Sequence, residues 1–152
     1  MAHFVLVHGA WHGAWCWRDV VQGLTQAGHR VHAVTLTGVG ERAHLLNADI
    51  TLQTHIEDVV QAIECEELDE VVLVVHSYAG MIGTGVADRM APRLRHLVYL
   101  DAVVPSPAKP GVPRTHGPHA KPAWPRPRPR PPTVLRRRPL LFLVCQVSKR
   151  LG

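Results

Sequence analysis

The sequence predicts an α/β fold, with an open, mostly parallel sheet flanked by helices. Four short apolar runs are typical of strands, and the segments between them carry apolar residues at helical spacing. Each run is followed directly by glycine or polar residues. Because ligands bind beyond the carboxyl ends of parallel strands, functional residues are expected in these short segments.

The first two strands are predicted at residues 4–7 and 31–36. The first, Phe-Val-Leu-Val, ends at His8-Gly9, and its unbroken apolar character favours a strand buried on both faces. Gly28 is expected to end the helix between the two strands. That helix is indicated by apolar residues at helical spacing, namely Trp17, Val20, Val21 and Leu24.

A second helix is predicted after a loop that runs through residues 37–42. Its apolar stripe consists of Leu52, Ile56, Val59, Val60 and Ile63. The third strand, at residues 71–75, is the most apolar of the four, and a helix from about Tyr78 to Met90 follows it. The fourth strand is predicted at residues 97–100 and ends at Asp101. Strand and helix thus alternate along residues 1–104, as right-handed crossovers between parallel strands require.

The chain changes character at Pro105. Residues 1–104 contain 6 Lys and Arg against 12 Asp and Glu, whereas residues 105–152 contain 11 basic residues and no acidic ones. Of the 13 prolines, 12 lie between Pro105 and Pro139. Between Pro105 and Pro139 the large apolar residues are Val112, Trp124, Val134 and Leu135 alone. Their burial cannot offset a backbone ordering cost of about 1–2 kcal/mol per residue. We therefore predict a folded part at residues 1–104 and a disordered Pro/Arg-rich tail at residues 105–152.

Two interpretations of the tail are open. Its abrupt start favours a shifted reading frame, since out-of-frame codons of a GC-rich gene encode Pro and Arg in excess. The alternative is a basic arm that contacts nucleic acid or another acidic surface electrostatically.

Cysteine usage and terminal segments indicate a cytoplasmic protein. Cys16, Cys65 and Cys145 form an odd, scattered set, which argues against a disulfide framework and against a metal site. The first residues lack the basic flank and apolar length of a signal peptide, and residues 140–144 are too short an apolar run to span a bilayer. We expect no metal, no cofactor and no membrane partner.

Ser77 is the candidate nucleophile. It follows an apolar strand and precedes a helix, which is the strand–serine–helix arrangement of a nucleophile elbow. Such a turn usually has glycine two residues before and two residues after the serine. Ala79 is still small, but Val75 brings a branched side chain to the crowded position.

An oxyanion hole requires two N–H groups directed at the developing negative charge. The backbone N–H groups of Ala10 and Tyr78 are the predicted pair, with Gly9 allowing the chain to approach closely. Trp11 and His76 are candidate substrate-binding residues, and for both of them a structural role is the alternative.

Several segments together resemble the small esterases related to plant methyl esterases and hydroxynitrile lyases, within the α/β-hydrolase superfamily. They are residues 4–13 with Trp15 and Trp17, Gly38 to Leu45, Thr54 to Val60, and Leu97 to Ala102. The similarity covers about residues 3–105. It implies an α/β-hydrolase fold truncated at its C-terminal side and a reaction on small carboxylic esters.

The resemblance also implies a catalytic acid after a later strand and a histidine near the C-terminus, and neither has a counterpart here. Asp101 is the nearest substitute for the acid. Without a base the serine hydroxyl is a weak nucleophile, so activity is expected to be impaired. Two alternatives are an inactive remnant whose basic tail binds a ligand or nucleic acid, and a hydroxynitrile-lyase-like C–C lyase.

Overall fold

The computed structural model describes residues 1–105 of the 152-residue chain. Apart from Pro105, the predicted tail lies outside the described residues. The strands are β1 (His3–Val7), β2 (Arg30–Val34), β3 (Val71–Ser77) and β4 (Leu94–Ala102). The helices are α1 (Arg18–Gln26), α2 (Leu52–Cys65) and α3 (Ala79–Met90), and 3-10 turns occupy Ala14–Trp17, Gly40–Leu45 and Ala91–Arg93.

The strands form one sheet in the order β2-β1-β3-β4, and every neighbouring pair is parallel. The predicted fold class is therefore confirmed. Strands β1 and β3 are central, and their buried apolar residues are Val5, Leu6, Val7, Val71, Leu73 and Val75. Phe4, Val72 and Val74 are partly buried. Val7 pairs with Val75, which brings the carboxyl ends of β1 and β3 together. His8-Gly9 and His76-Ser77 consequently lie at the same edge of the sheet.

Helices α2 and α3 supply much of the core. The buried residues of the predicted α2 stripe are Ile56, Val59, Val60 and Ile63, and α3 adds Ile82, Val86 and Met90. Leu52, the first residue of the stripe, is exposed. None of the helices within residues 1–105 is long and apolar enough to cross a membrane.

Helix α1 ends at Gln26, and Gly28 is the C′ residue that terminates it, as predicted. Gly28 has a φ of +84° and donates its N–H to the Thr25 carbonyl, while His29 donates to the Leu24 carbonyl. This pair of bonds is the Schellman motif, in which glycine avoids the Cβ strain of the left-handed conformation. Trp17, predicted as part of the helical stripe, instead belongs to the preceding 3-10 turn and is buried there. Val20 is exposed, so α1 packs less closely than its periodicity predicts.

Strand β2 ends at Val34, two residues earlier than predicted. Thr35 and Leu36 form hydrogen bonds with residues outside the sheet ladder. The Leu36 N–H donates to His8 Nε2 at 3.1 Å, and Thr35 Oγ1 accepts from the Ala14 N–H at 2.7 Å. These contacts draw the chain away from β1 after Val34 and direct it toward the carboxyl edge of the sheet.

Strand β4 is longer than predicted and irregular at its end. It starts at Leu94, directly after the 3-10 turn that contains Pro92. His76 pairs with Leu100, whereas Ser77 pairs with Ala102. Asp101 is therefore an extra residue in β4, with a φ of +42°, and it forms a β-bulge beside the serine.

Candidate active site

Ser77 has a strained backbone conformation at the junction of β3 and α3. Its φ is +53°, in the left-handed region that non-glycine residues seldom occupy. Its carbonyl accepts a hydrogen bond from the Val103 N–H at 3.0 Å. A Cβ on Gly80 would lie 2.0 Å from the Val103 carbonyl oxygen, so only glycine fits there. Strain of this kind costs about 1–3 kcal/mol and persists where surrounding contacts enforce it.

Val75, the unusual residue two positions before Ser77, is accommodated by a glycine of the following helix. Val75 is fully buried, and a Cβ on Gly83 would lie 2.7 Å from its Cγ1 atom. The branched side chain thus occupies space that a side chain at position 83 would fill. The turn usually has glycine at position 75. Here the space for the larger Val75 side chain is provided by Gly83 instead.

The turn after β1 lies directly against Ser77. A Cβ on Gly9 would be 3.0 Å from both the Ser77 Cβ and the His76 Nδ1 atoms, so glycine permits this approach. His8 is fully buried, and its Nδ1 lies 2.7 Å from the Gly9 carbonyl oxygen. A carbonyl only accepts, so Nδ1 donates and Nε2 is left to accept from Leu36. Burial lowers the pKa of His8, which keeps the ring neutral.

His8 also orients the peptide that carries the Ala10 N–H. In a trans peptide the C=O of Gly9 and the N–H of Ala10 lie in one plane and point in opposite directions. Because the ring of His8 holds the carbonyl on one side, the Ala10 N–H must point to the other. The predicted donor therefore belongs to a peptide of fixed orientation beside the serine.

The aromatic residues near this turn have different surroundings. Trp11 follows Ala10 with a φ of +63° and is 67% exposed, and Trp15 is 53% exposed. Trp17 is buried, with its ring edge-on to His76 at a centroid distance of 6.4 Å. His12 Nδ1 donates to the Ala10 carbonyl at 2.7 Å. Of these three tryptophans only Trp17 is buried, and the ring of Trp15 lies 5.6 Å from that of His12.

A polar cluster beyond the end of β2 consists of Thr35, Glu41, Arg42 and Asp58. The Thr35 hydroxyl donates to Glu41, and this hydrogen bond lowers the pKa of the Glu41 carboxyl. Arg42 donates to the Thr35 carbonyl at 2.9 Å and forms an ion pair with Asp58 at 3.4 Å. The cluster lines a groove of about 550 Å³ that does not include Ser77.

One contact of the site was not predicted from the sequence. His55 of α2 is 8% exposed, and its Nδ1 lies 2.9 Å from the Tyr78 hydroxyl oxygen. Burial raises the pKa of Tyr78, so this hydroxyl keeps its proton. Burial at position 55 was predictable, because His55 lies beside Ile56 and one turn before Val59 on the apolar face of α2. Its contact with Tyr78 was not predictable from the spacing.

The acid and the histidine that the family resemblance implies have no clear counterpart among residues 1–105. Both ring nitrogens of His8 and of His55 already have hydrogen-bond partners. Asp101 is exposed on the bulge of β4, next in register to the serine. Within residues 1–105, no group of three or more His, Cys, Asp or Glu side chains is placed to hold a metal ion.

A parallel sheet whose central strand passes through a strained serine into a helix defines the α/β class of enzymes built on a nucleophile elbow. The family model described as "Alpha/beta hydrolase family" matches residues 4–148 of this sequence. The chain belongs to the α/β-hydrolase family.

Individual relatives agree with this assignment. A carbendazim hydrolyzing esterase of Nocardioides sp. (strain SG-4G) is 66% identical over 105 residues, which cover 69% of this chain and 43% of the relative. An alpha-hydroxynitrile lyase of Arabidopsis thaliana is 36% identical, covering 68% and 40%. The crystal structure of the Arabidopsis methylesterase MES16 is 31% identical with a TM-score of 0.63, covering 72% and 47%. The chain spans less than half the length of each of these relatives.

Proposed function

We propose that the whole protein is a carboxylic ester hydrolase that acts on small esters through Ser77. The observation that carries the proposal is the strained conformation of Ser77 at the end of β3, with Gly9 so near that a Cβ on it would lie 3.0 Å from the Ser77 Cβ atom. A serine in this turn projects its hydroxyl above the sheet, where a substrate carbonyl has access. The esterases among the relatives support ester hydrolysis as the reaction.

In the proposed reaction, Ser77 Oγ attacks the ester carbonyl and loses its proton to a base. The carbonyl oxygen then becomes an oxyanion, which the N–H groups of Ala10 and Tyr78 stabilise. The C–O bond to the leaving alkoxide breaks, which gives an acyl-serine, and the proton taken from Ser77 passes to the alkoxide to release the alcohol. Water then hydrolyses the acyl-serine to the carboxylic acid and restores the serine hydroxyl. The fixed Gly9–Ala10 peptide supports the role of Ala10, because a donor of preset direction needs no reorganisation during the reaction.

We further propose that this chain alone is strongly impaired. The acid and the histidine that the family resemblance implies lie in the part of the relatives that has no counterpart here. Loss of a triad costs on the order of 10⁶ in turnover, and binding with the oxyanion hole alone leaves about 10³–10⁴ over water.

Trp11 and His76 are the proposed contacts to the substrate. Trp11 directly follows the donor residue Ala10, and its strained, exposed conformation is unusual for a large aromatic side chain. His76 precedes Ser77 and lies against Gly9. We place the protein in the cytoplasm, since Cys16 and Cys65 are exposed free thiols and a reducing compartment preserves such groups.

Labelling with a fluorophosphonate probe tests the proposal. At millimolar concentration the probe should modify Ser77 slowly, as expected of a serine without its base, and peptide mass spectrometry should identify the site. The S77A variant should remain unlabelled. A wild-type chain that is folded yet unlabelled at millimolar probe would contradict a working nucleophile and favour the inactive remnant. Release of cyanide from mandelonitrile without hydrolysis of p-nitrophenyl acetate would favour the lyase, a reaction that the name of one relative supports.

A further inference from the structure

The side chain of Tyr78 is held at its far end by a buried histidine. The Tyr78 hydroxyl contacts His55 Nδ1 at 2.9 Å, and His55 Nε2 contacts the Thr37 carbonyl oxygen at 2.9 Å. Because a carbonyl only accepts, Nε2 donates to Thr37, and Nδ1 is the ring nitrogen that can accept from the Tyr78 hydroxyl. The hydrogen-bond partners thus fix the tautomer of His55.

Thr37, whose carbonyl binds His55, is itself hydrogen-bonded to α2 through its N–H and its hydroxyl. Thr37 donates its N–H to Asp58 Oδ2 at 2.6 Å and its hydroxyl to Asp58 Oδ1 at 2.7 Å. His55 and Asp58 are three residues apart on α2 and therefore lie on one side of the helix. Two side chains of α2 consequently bind Thr37, and one of them also binds Tyr78.

These contacts bear on the backbone of the elbow. Tyr78 directly follows Ser77, whose φ of +53° relaxes unless its neighbours prevent it. We propose that His55 is a positioning residue that holds Tyr78, and with it the Tyr78 N–H, in the orientation that an oxyanion hole requires. The inference rests on the proposed function of Ser77. His55 is not a base in this reaction, since both of its ring nitrogens are engaged.

Four single substitutions test the proposal. Y78F removes only the hydroxyl. H55N keeps a polar group near the position of Nδ1 and so retains a partner for Tyr78, whereas H55Q keeps one near Nε2 and retains the Thr37 contact alone. Y99F is the matched control, because the Tyr99 hydroxyl makes an equivalent 2.8 Å contact with Thr84, further along α3.

The first readout is the rate of Ser77 labelling by the fluorophosphonate probe. We expect Y78F and H55Q to be labelled about tenfold more slowly than wild type, which corresponds to about 1.4 kcal/mol. H55N and Y99F should stay within about threefold of the wild-type rate. Melting temperatures should be similar in Y78F and Y99F, which separates positioning from general stability. Equal labelling of Y78F and wild type would overturn the role of His55 and leave the proposed function intact.

The second readout does not depend on a reactive serine. The Val103 N–H donates to the Ser77 carbonyl, so its hydrogen-exchange rate reports the geometry of the elbow. Exchange of the Val103 amide should be about tenfold faster in Y78F and H55Q than in H55N and Y99F. If wild type is unlabelled but this pattern appears, Ser77 is not a working nucleophile while His55 still positions the elbow. Identical exchange in all four variants would refute the positioning role.

Discussion

The contact between Val75 and Gly83 predicts an unusual response to the substitution G83A. An alanine Cβ would lie 2.7 Å from Val75 Cγ1 and 3.1 Å from Val75 Cγ2 and Leu97 Cδ1. Overpacking of this kind costs about 1–3 kcal/mol, whereas replacing glycine by alanine inside a helix gains about 1 kcal/mol. Removal of the Val75 methyl groups in V75A eliminates the closest contacts. G83A should therefore stabilise the V75A background and fail to stabilise the wild type.

A double-mutant cycle isolates this contact. Urea unfolding of the wild type, both single variants and the double variant should give a coupling free energy of about 1–3 kcal/mol between positions 75 and 83. G23A is the control for helix propensity, because nothing lies within 4 Å of a Cβ at that position in α1. It should stabilise the chain by about 1 kcal/mol. A G83A effect that is equal in both backgrounds, and equal to that of G23A, would refute the account of how Val75 fits the turn.

Three further substitutions give shorter tests. G9A places a Cβ 3.0 Å from the Ser77 Cβ atom; it should slow phosphonate labelling about 100-fold by displacing the Ala10 N–H, and an unchanged rate would contradict that placement. Burial keeps the pKa of folded His8 below the unfolded value of 6.5, so the unfolded chain takes up the proton first and the free energy of unfolding should fall as pH decreases below about 6.5. H8N should show a weaker decline between pH 7.5 and 5.5, and parallel profiles would argue against this linkage. T51A removes the capping box of α2 and should cost about 1 kcal/mol in urea unfolding, a loss that T51S should largely avoid.

The strand and helix order was predictable because the spacing of apolar residues within a few consecutive positions shows which face of each element is buried. The ends of β2 were not predictable in this way. Thr35 and Leu36 continue the apolar pattern, but their hydrogen bonds to Ala14 and His8 come from residues more than twenty positions away. Those contacts depend on tertiary structure and leave no trace in the spacing of apolar residues.

The same distinction applies to the candidate site. The elbow and the turn after β1 were predictable because each lies within a few consecutive residues. The partner of Val75 was not, since Gly83 acts by the absence of a side chain in a different element. His55 was overlooked for a related reason: its position on the apolar face of α2 predicts burial, while its contact with Tyr78 bridges 23 positions.

The bulge at Asp101 requires a fixed number of residues in β4 beside the serine, but it places little demand on which side chain stands at position 101. Asp101 is the extra residue that lets Ala102 pair with Ser77 and the Val103 N–H reach the Ser77 carbonyl. Deleting one residue there would shift every later residue by one place and exchange the faces of the strand. Homologues are therefore expected to vary in side chain at this point while avoiding insertions and deletions. A fusion partner or a chain break belongs after Val104, where the register beside the serine is already complete.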